Sequence, residues 1–152
     1  MNPVLPEEAT ELGATATKAF VALGGVDVAR RAEADPSGRA EVAVTLAALG
    51  LADLDPRADA LTLAAAAALC EAAGRVALPY PVAGALLADE EGRPLAVVPD
   101  GVGRVDHGDL FPEWRVATIG GRGDHEVPGT SWSGGVGAPV GARRATRLGP
   151  FV

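Results

Sequence analysis

The sequence is poor in the residues that carry most protein chemistry. One cysteine, Cys70, excludes an internal disulfide framework and a cysteine-rich zinc module. Two histidines, His107 and His125, leave few metal ligands besides carboxylates, and no metal site is expected. Lys18 is the single lysine. Together with the arginines it makes 13 cations against 20 acidic side chains, a formal charge of −7. That deficit argues against a nucleic-acid partner, whose phosphates need a surplus of Lys and Arg. It argues equally against a polybasic membrane-surface protein. Long apolar runs are also missing. The charge-free stretches 60–70 and 76–88 fall short of the roughly 20 residues that span a bilayer. The stretch 127–142 is longer but is broken by glycine and proline. The first residues, Met1 to Glu8, show neither a basic n-region nor an apolar h-region. These absences lead to the expectation of a soluble, cytoplasmic protein with no membrane partner.

What is present is a globular composition. Apolar residues make up 48% and charged residues 22% of 152 positions, which excludes a disordered chain and fits one domain or two small ones. The composition changes along the chain. Residues 1–88 hold 26 of the 31 alanines but only 7 of the 20 glycines, whereas both tryptophans follow Ala88. Alanine is the best helix former and glycine among the worst. The expected fold class is therefore α+β: an N-terminal all-α helical bundle over 1–88, then a small, mainly antiparallel β domain over 89–152.

Punctuation places the helices. Pro6 suits a first helical position, and Glu7, Glu8 and Glu11 put negative charge where the helix dipole favours it. Leu12, Ala16, Ala19, Phe20 and Leu23 recur at helical spacing until Gly24-Gly25 ends the run. A short helix is expected over 26–34. Asp35-Pro36 opens a third, lined by Val42, Leu46 and Leu49 and stopped by Gly50. Asp55-Pro56 repeats the start signal, with Asp59 a second candidate cap. The helix over 60–73 is apolar almost all round, which predicts a central, buried position, and Gly74 closes it. Leu78-Pro79-Tyr80-Pro81 reads as an extended bridge to a short helix over 82–88. Beyond it, 94–99, 114–119 and 125–127 read as strands, with Gly120-Gly121-Arg122-Gly123-Asp124 turning between the last two.

Candidate motifs each have a plainer explanation. Gly134-Gly135-Val136-Gly137-Ala138-Pro139-Val140-Gly141 invites a phosphate loop, but its spacing matches neither nucleotide-binding pattern and Pro139 removes a donor. It reads as a loop. Asp106-His107-Gly108-Asp109 places an imidazole between two carboxylates, suited to a general base or a metal, yet Asp and Gly are equally the residues of a turn. Arg122-Gly123-Asp124 reads as a turn. Cys70, among apolar neighbours, reads as a small core residue. Arg143, Arg144 and Arg147 form the one basic cluster and read as a solvated tail. No nucleophile–base pair stands out, so no residue is assigned a catalytic role.

One stretch resembles a known family. From Glu41 to Ala88 the chain is similar to the N-terminal helical domain of acyl-CoA dehydrogenases. Leu49-Gly50-Leu51 matches that family's helix-ending turn. Glu71-Ala72-Ala73-Gly74-Arg75-Val76-Ala77-Leu78-Pro79 matches its Glu-x-x-Gly-Arg-x-x-x-Pro helix exit. The resemblance implies a helical domain leading into a β-rich middle domain, FAD as cofactor, an acyl-CoA substrate and α,β-dehydrogenation in fatty-acid or steroid catabolism. The departures are as informative. The Gly-rich loop before the apolar helix is shortened to 52–60, and the middle-domain segments that help hold flavin and acyl-CoA are not found between Asp89 and Val152. The residues that would contact a cofactor stay unknown. The family's catalytic glutamate belongs to a C-terminal bundle, and no residue here inherits its role. The expectation is a subunit not competent alone, joined to a longer dehydrogenase chain or to itself. The alternatives are a non-catalytic partner of a homologous dehydrogenase, or a truncated remnant.

Overall fold

A computed structural model of the chain describes residues 5–35, 38–99, 110–119 and 124–128. The architecture is mixed helix and sheet. Contacts divide the chain into two compact units, Met1–Leu86 and Leu87–Val152. Among the described residues, the first holds five helices: α1 Glu7–Ala22, α2 Val26–Ala34, α3 Arg39–Ala48, α4 Ala60–Arg75 and α5 Val82–Leu86, with a 3₁₀ turn at Leu51–Asp53. The described residues of the second hold three strands: β1 Leu95–Pro99, β2 Glu113–Ile119 and β3 Asp124–Pro128. Among the described residues, no single helix is long and apolar enough to cross a membrane.

The core of the helical unit gathers Ala16 and Phe20 of α1, Val42 and Leu46 of α3, and Leu69, Ala72 and Ala73 of α4. Small residues set the α1–α4 spacing: a Cβ added to Gly13 would lie 3.2 Å from the Ala68 Cβ. Leu5, just before α1, lines the same cleft as Arg75 at the end of α4, so the two helices run antiparallel. Burial of α4 is one-sided in a way its composition hides. Ala66, Ala68, Leu69, Ala72 and Ala73 are buried, but Leu61 and Leu63 in its first turn are exposed. The all-round burial expected of this helix is not found.

Helix ends follow local chemistry, with three corrections. Pro6 stands at the N-cap of α1 with extended ψ, one position earlier than expected, and its carbonyl accepts from the Thr10 amide at 3.0 Å. The first residue of α3 is Arg39, behind Gly38. The opening expected at Asp35-Pro36 falls partly outside the described residues. Asp59, not Asp55, caps α4: its Oδ1 accepts from the Thr62 amide at 2.7 Å and the Thr62 hydroxyl at 2.9 Å. Those bonds hold the Asp59 carboxyl below its ordinary value. Asp55 is instead engaged by the Arg57 side chain at 2.8 Å and its amide at 3.0 Å.

The end of α4 departs furthest from expectation. Gly74 does not close the helix but lies inside it, with nothing within 4 Å of an added Cβ. The left-handed residue after the helix is Ala77, with φ +49°. Its amide donates to Gly74 O at 3.1 Å and the Leu78 amide to Ala73 O at 3.0 Å, the paired bonds of a Schellman motif. Glycine is the usual residue there, because an L side chain in that conformation costs about 1–2 kcal/mol. Ala77→Gly is therefore expected to stabilise the helical unit by about 0.5–1 kcal/mol once the looser unfolded chain is counted. Gly74→Ala, in open helical space, is expected to add about 0.4–1 kcal/mol. Urea midpoints followed by helical ellipticity measure both, and destabilisation by either would contradict this ending.

The sheet has the order β1-β2-β3. β1 and β2 pair in parallel, Leu95 opposite Arg115 and Ala96 opposite Val116, while β2 and β3 pair antiparallel. The mainly antiparallel sheet expected from the sequence is thus not borne out. The reason lies in the connections. Residues 100–112 are enough for the crossover that parallel strands require, whereas 120–123 permit a hairpin. Alternation puts Ala96, Trp114 and Val116 inward and leaves Val97 outward. Trp114 is almost wholly buried, with Phe111 edge-on at a centroid distance of 5.3 Å.

Candidate functional site

The chemistry-bearing residues of the helical unit gather around the second half of α4. Capped by Asp59 and extended by its alanine run, the helix carries Glu71 and Arg75 one turn apart on an exposed face, joined by a 2.7 Å ion pair. After the Schellman turn, the Tyr80 amide donates to Leu78 O at 2.8 Å and the Val82 amide to Tyr80 O at 2.9 Å. These are consecutive three-residue turns centred on Pro79 and Pro81, whose ring-locked φ suits that geometry. The expected extended bridge is a tightly turned ribbon, and it leads straight into α5.

Two shallow clefts flank this segment. One, of about 240 Å³, lies between α1 and α4 and is lined by Thr10, Gly13, Thr17, Ala68, Glu71 and Arg75 among others. Its hydroxyls are spent locally, Thr10 donating to Pro6 O at 3.1 Å and Thr17 to Gly13 O at 2.8 Å. The other, of about 330 Å³, is bounded by Cys70, Ala73, Ala77, Leu78, Tyr80 and Val82. It is largely apolar. Burial pushes both the Cys70 thiol and the Tyr80 phenol up, which keeps them protonated at neutral pH. Neither is a ready nucleophile or base. Cys70 is half-buried against the core and borders a cleft, which refines its reading as a core residue.

The sheet unit contributes one ionic cluster. The Asp89 carboxylate accepts from the Arg93 amide at 2.9 Å and from Arg93 Nε at 2.8 Å, and Arg115 Nε lies 4.0 Å away. Arg93 also reaches Glu91 at 3.1 Å. Burial pushes the Asp89 carboxyl up, but these hydrogen bonds and the two guanidinium charges outweigh it and hold it below its ordinary value. A group depressed in this way stabilises the fold above the ordinary carboxylate range and loses that contribution as pH falls toward its folded value. Asp89→Asn is expected to cost about 1.5–3 kcal/mol near neutral pH, with the deficit shrinking in acid. Denaturation followed by tryptophan fluorescence checks this, because Trp114 is buried in the sheet unit. A deficit that persists unchanged at low pH would contradict it.

The other sequence motifs fall mostly elsewhere. Asp106-His107-Gly108-Asp109, the 134–141 glycine segment, Arg143, Arg144 and Arg147 all lie outside the described residues. So do Arg122 and Gly123, while Asp124 and His125 begin β3. Among the described residues, no group of three or more His, Cys, Asp and Glu side chains is placed to hold a metal ion. Ligand sites commonly enclose about 300–1,000 Å³ and bury most of the ligand; these two clefts, of about 240 and 330 Å³, lie below and at the foot of that range, and both are open.

Comparison of the chain with protein-family profiles, curated proteins and solved structures finds no match.

Proposed function

We propose that the chain is an acyl-CoA dehydrogenase-like subunit that takes part in flavin-dependent α,β-dehydrogenation of an acyl-CoA in company with a longer homologous chain. The observation that carries this reading is the segment from Leu49 to Leu95. A left-handed Gly50 with φ +79° ends α3, and apolar α4 exits through the Glu71–Arg75 pair and the Schellman turn. The proline ribbon, short α5 and the first strand of a sheet unit follow in that order. This is the element order the resemblance implies. In this role the helical unit supplies wall and support, and the reacting groups come from the longer chain. The high-lying thiol and phenol of the apolar cleft suit such a division, because neither competes as an acid or base.

A second reading, a non-catalytic partner of a homologous dehydrogenase, is favoured by the same cleft chemistry. Co-expression with longer acyl-CoA dehydrogenase chains separates the two. The dehydrogenase reading expects a stable complex with acyl-CoA-dependent dye reduction that neither chain gives alone. A complex without that activity supports the second reading, and no complex with any of them overturns both.

A further inference from the structure

Helix α2 is held to the rest of the helical unit by few groups. Its entry is the Gly24-Gly25 turn, where successive residues have φ +117° and +55°, a backbone that L side chains rarely adopt. The Gly25 amide closes α1 by donating to Phe20 O at 3.0 Å, and no side chain caps the first turn of α2. Along α2 itself Val28 and Ala32 are buried, whereas Asp27, Arg30 and Arg31 are exposed. Among the described side chains of α2, only Val28 joins the core cluster that holds Phe20, Val42 and Leu46. To that cluster α4 supplies Ala66, Leu69, Ala72 and Ala73.

A side-chain bond crosses the turn. Arg31 Nη2 donates to Leu23 O at 2.9 Å, at the end of α1, where carbonyls lack partners within the helix and a cation is favoured. The guanidinium lies against Gly24: a Cβ added there would meet both of its terminal nitrogens at 3.2 Å. Glycine therefore serves twice, by turning the chain and by making room for Arg31. Arg30 differs, since it spends its charge on Asp27 within α2, at 2.7 Å. The Arg31 bond is open to water, and a valine is a small anchor. Breaking both leaves the packing of α1 on α4 intact.

We propose that α2 is a hinged strap, which lifts as one unit about Gly24-Gly25 with Arg31 as its latch and Val28 as the plug that reseals the core. Lifting uncovers the core cluster while α1 and α4 stay packed, so apolar surface becomes reachable without global unfolding. The inference goes beyond the dehydrogenase reading and does not depend on it. Amide exchange of the full chain, resolved residue by residue with NMR, tests it. The amides of Arg30 to Ala34 are expected to share one level of protection, at least about tenfold below that of Leu69 to Ala73 in α4. Arg31→Ala is expected to lower the α2 level by a further factor of about three to ten, the effect of one lost hydrogen bond, and to leave α4 unchanged. Arg30→Ala, which removes a pair internal to α2, is expected to change it by less than about twofold. Protection in α2 equal to that in α4 overturns the proposal. So does a steady gradient from one end of α2, which marks fraying, or an Arg31→Ala chain whose α2 protection matches the wild type.

Discussion

Trp114→Ala is expected to cost about 3–5 kcal/mol and to unfold the sheet unit while the helices remain. Trp114 is 1% exposed and is the largest side chain of a cluster that otherwise contains Ala96, Val116 and the flanking Phe111. Small units keep little stability in reserve, so the loss of one aromatic of this size exceeds what the remaining contacts supply. Amide exchange read by mass spectrometry distinguishes the outcomes. Peptides covering β1 and β2 are expected to lose protection, and those covering α4 to keep it. Equal loss in α4 would show that the helices depend on the sheet, contrary to the division after Leu86.

Phe20→Ala is the matching test of the helical unit, with an expected cost of about 3–5 kcal/mol. Phe20 is fully buried among residues of α3 and α4, including Val42, Leu46 and Leu69, so its removal opens a cavity where three helices meet. Those helices are short and alanine-rich, and alanines leave little side-chain volume to collapse into the gap. Helical ellipticity in urea should show a lower midpoint with an unchanged slope. Val44→Ala, at a position 70% exposed on α3, should move the midpoint by less than about 0.5 kcal/mol. Similar effects at the two positions would contradict the assigned core.

Much of the local structure was legible because the chain punctuates itself. Gly24-Gly25 and Gly50 mark real helix ends, and Val26–Ala34 forms the short helix expected there. The strands lie within a residue or so of the expected runs. Where local signals compete, tertiary context decided. Two Asp residues precede α4, and only Asp59 sits where its carboxylate meets the Thr62 amide. Gly74 reads as a stop in isolation, but the chain carries the helix past it and places Ala77 in the left-handed position. Parallel pairing of β1 with β2 was not legible, since hydrophobic alternation is the same for either direction. The Asp89–Arg93–Arg115 cluster was missed for a related reason. Arg115 lies far from Asp89 in sequence and comes near it only through strand pairing. The spacing of Asp89 and Arg93 was the one available signal.

The candidate site was legible as a motif and not as a shape. The Glu-x-x-Gly-Arg-x-x-x-Pro exit can be read from the residues, whereas the two clefts beside it depend on how α1 and α5 pack on α4. Both clefts owe their openness to the alanines and glycines that line them. The same small residues that made α4 look wholly buried leave its flanks open.

The central claim is that the chain works in acyl-CoA dehydrogenation as part of an assembly. Its most direct test is the visible spectrum of the chain purified alone and in complex with a longer dehydrogenase, before and after acyl-CoA is added. The account predicts no flavin band for the chain alone. It predicts a flavin band in the complex that bleaches on adding acyl-CoA, at a rate that falls when the chain is omitted. A complex whose flavin content and bleaching are the same with and without this chain would contradict it.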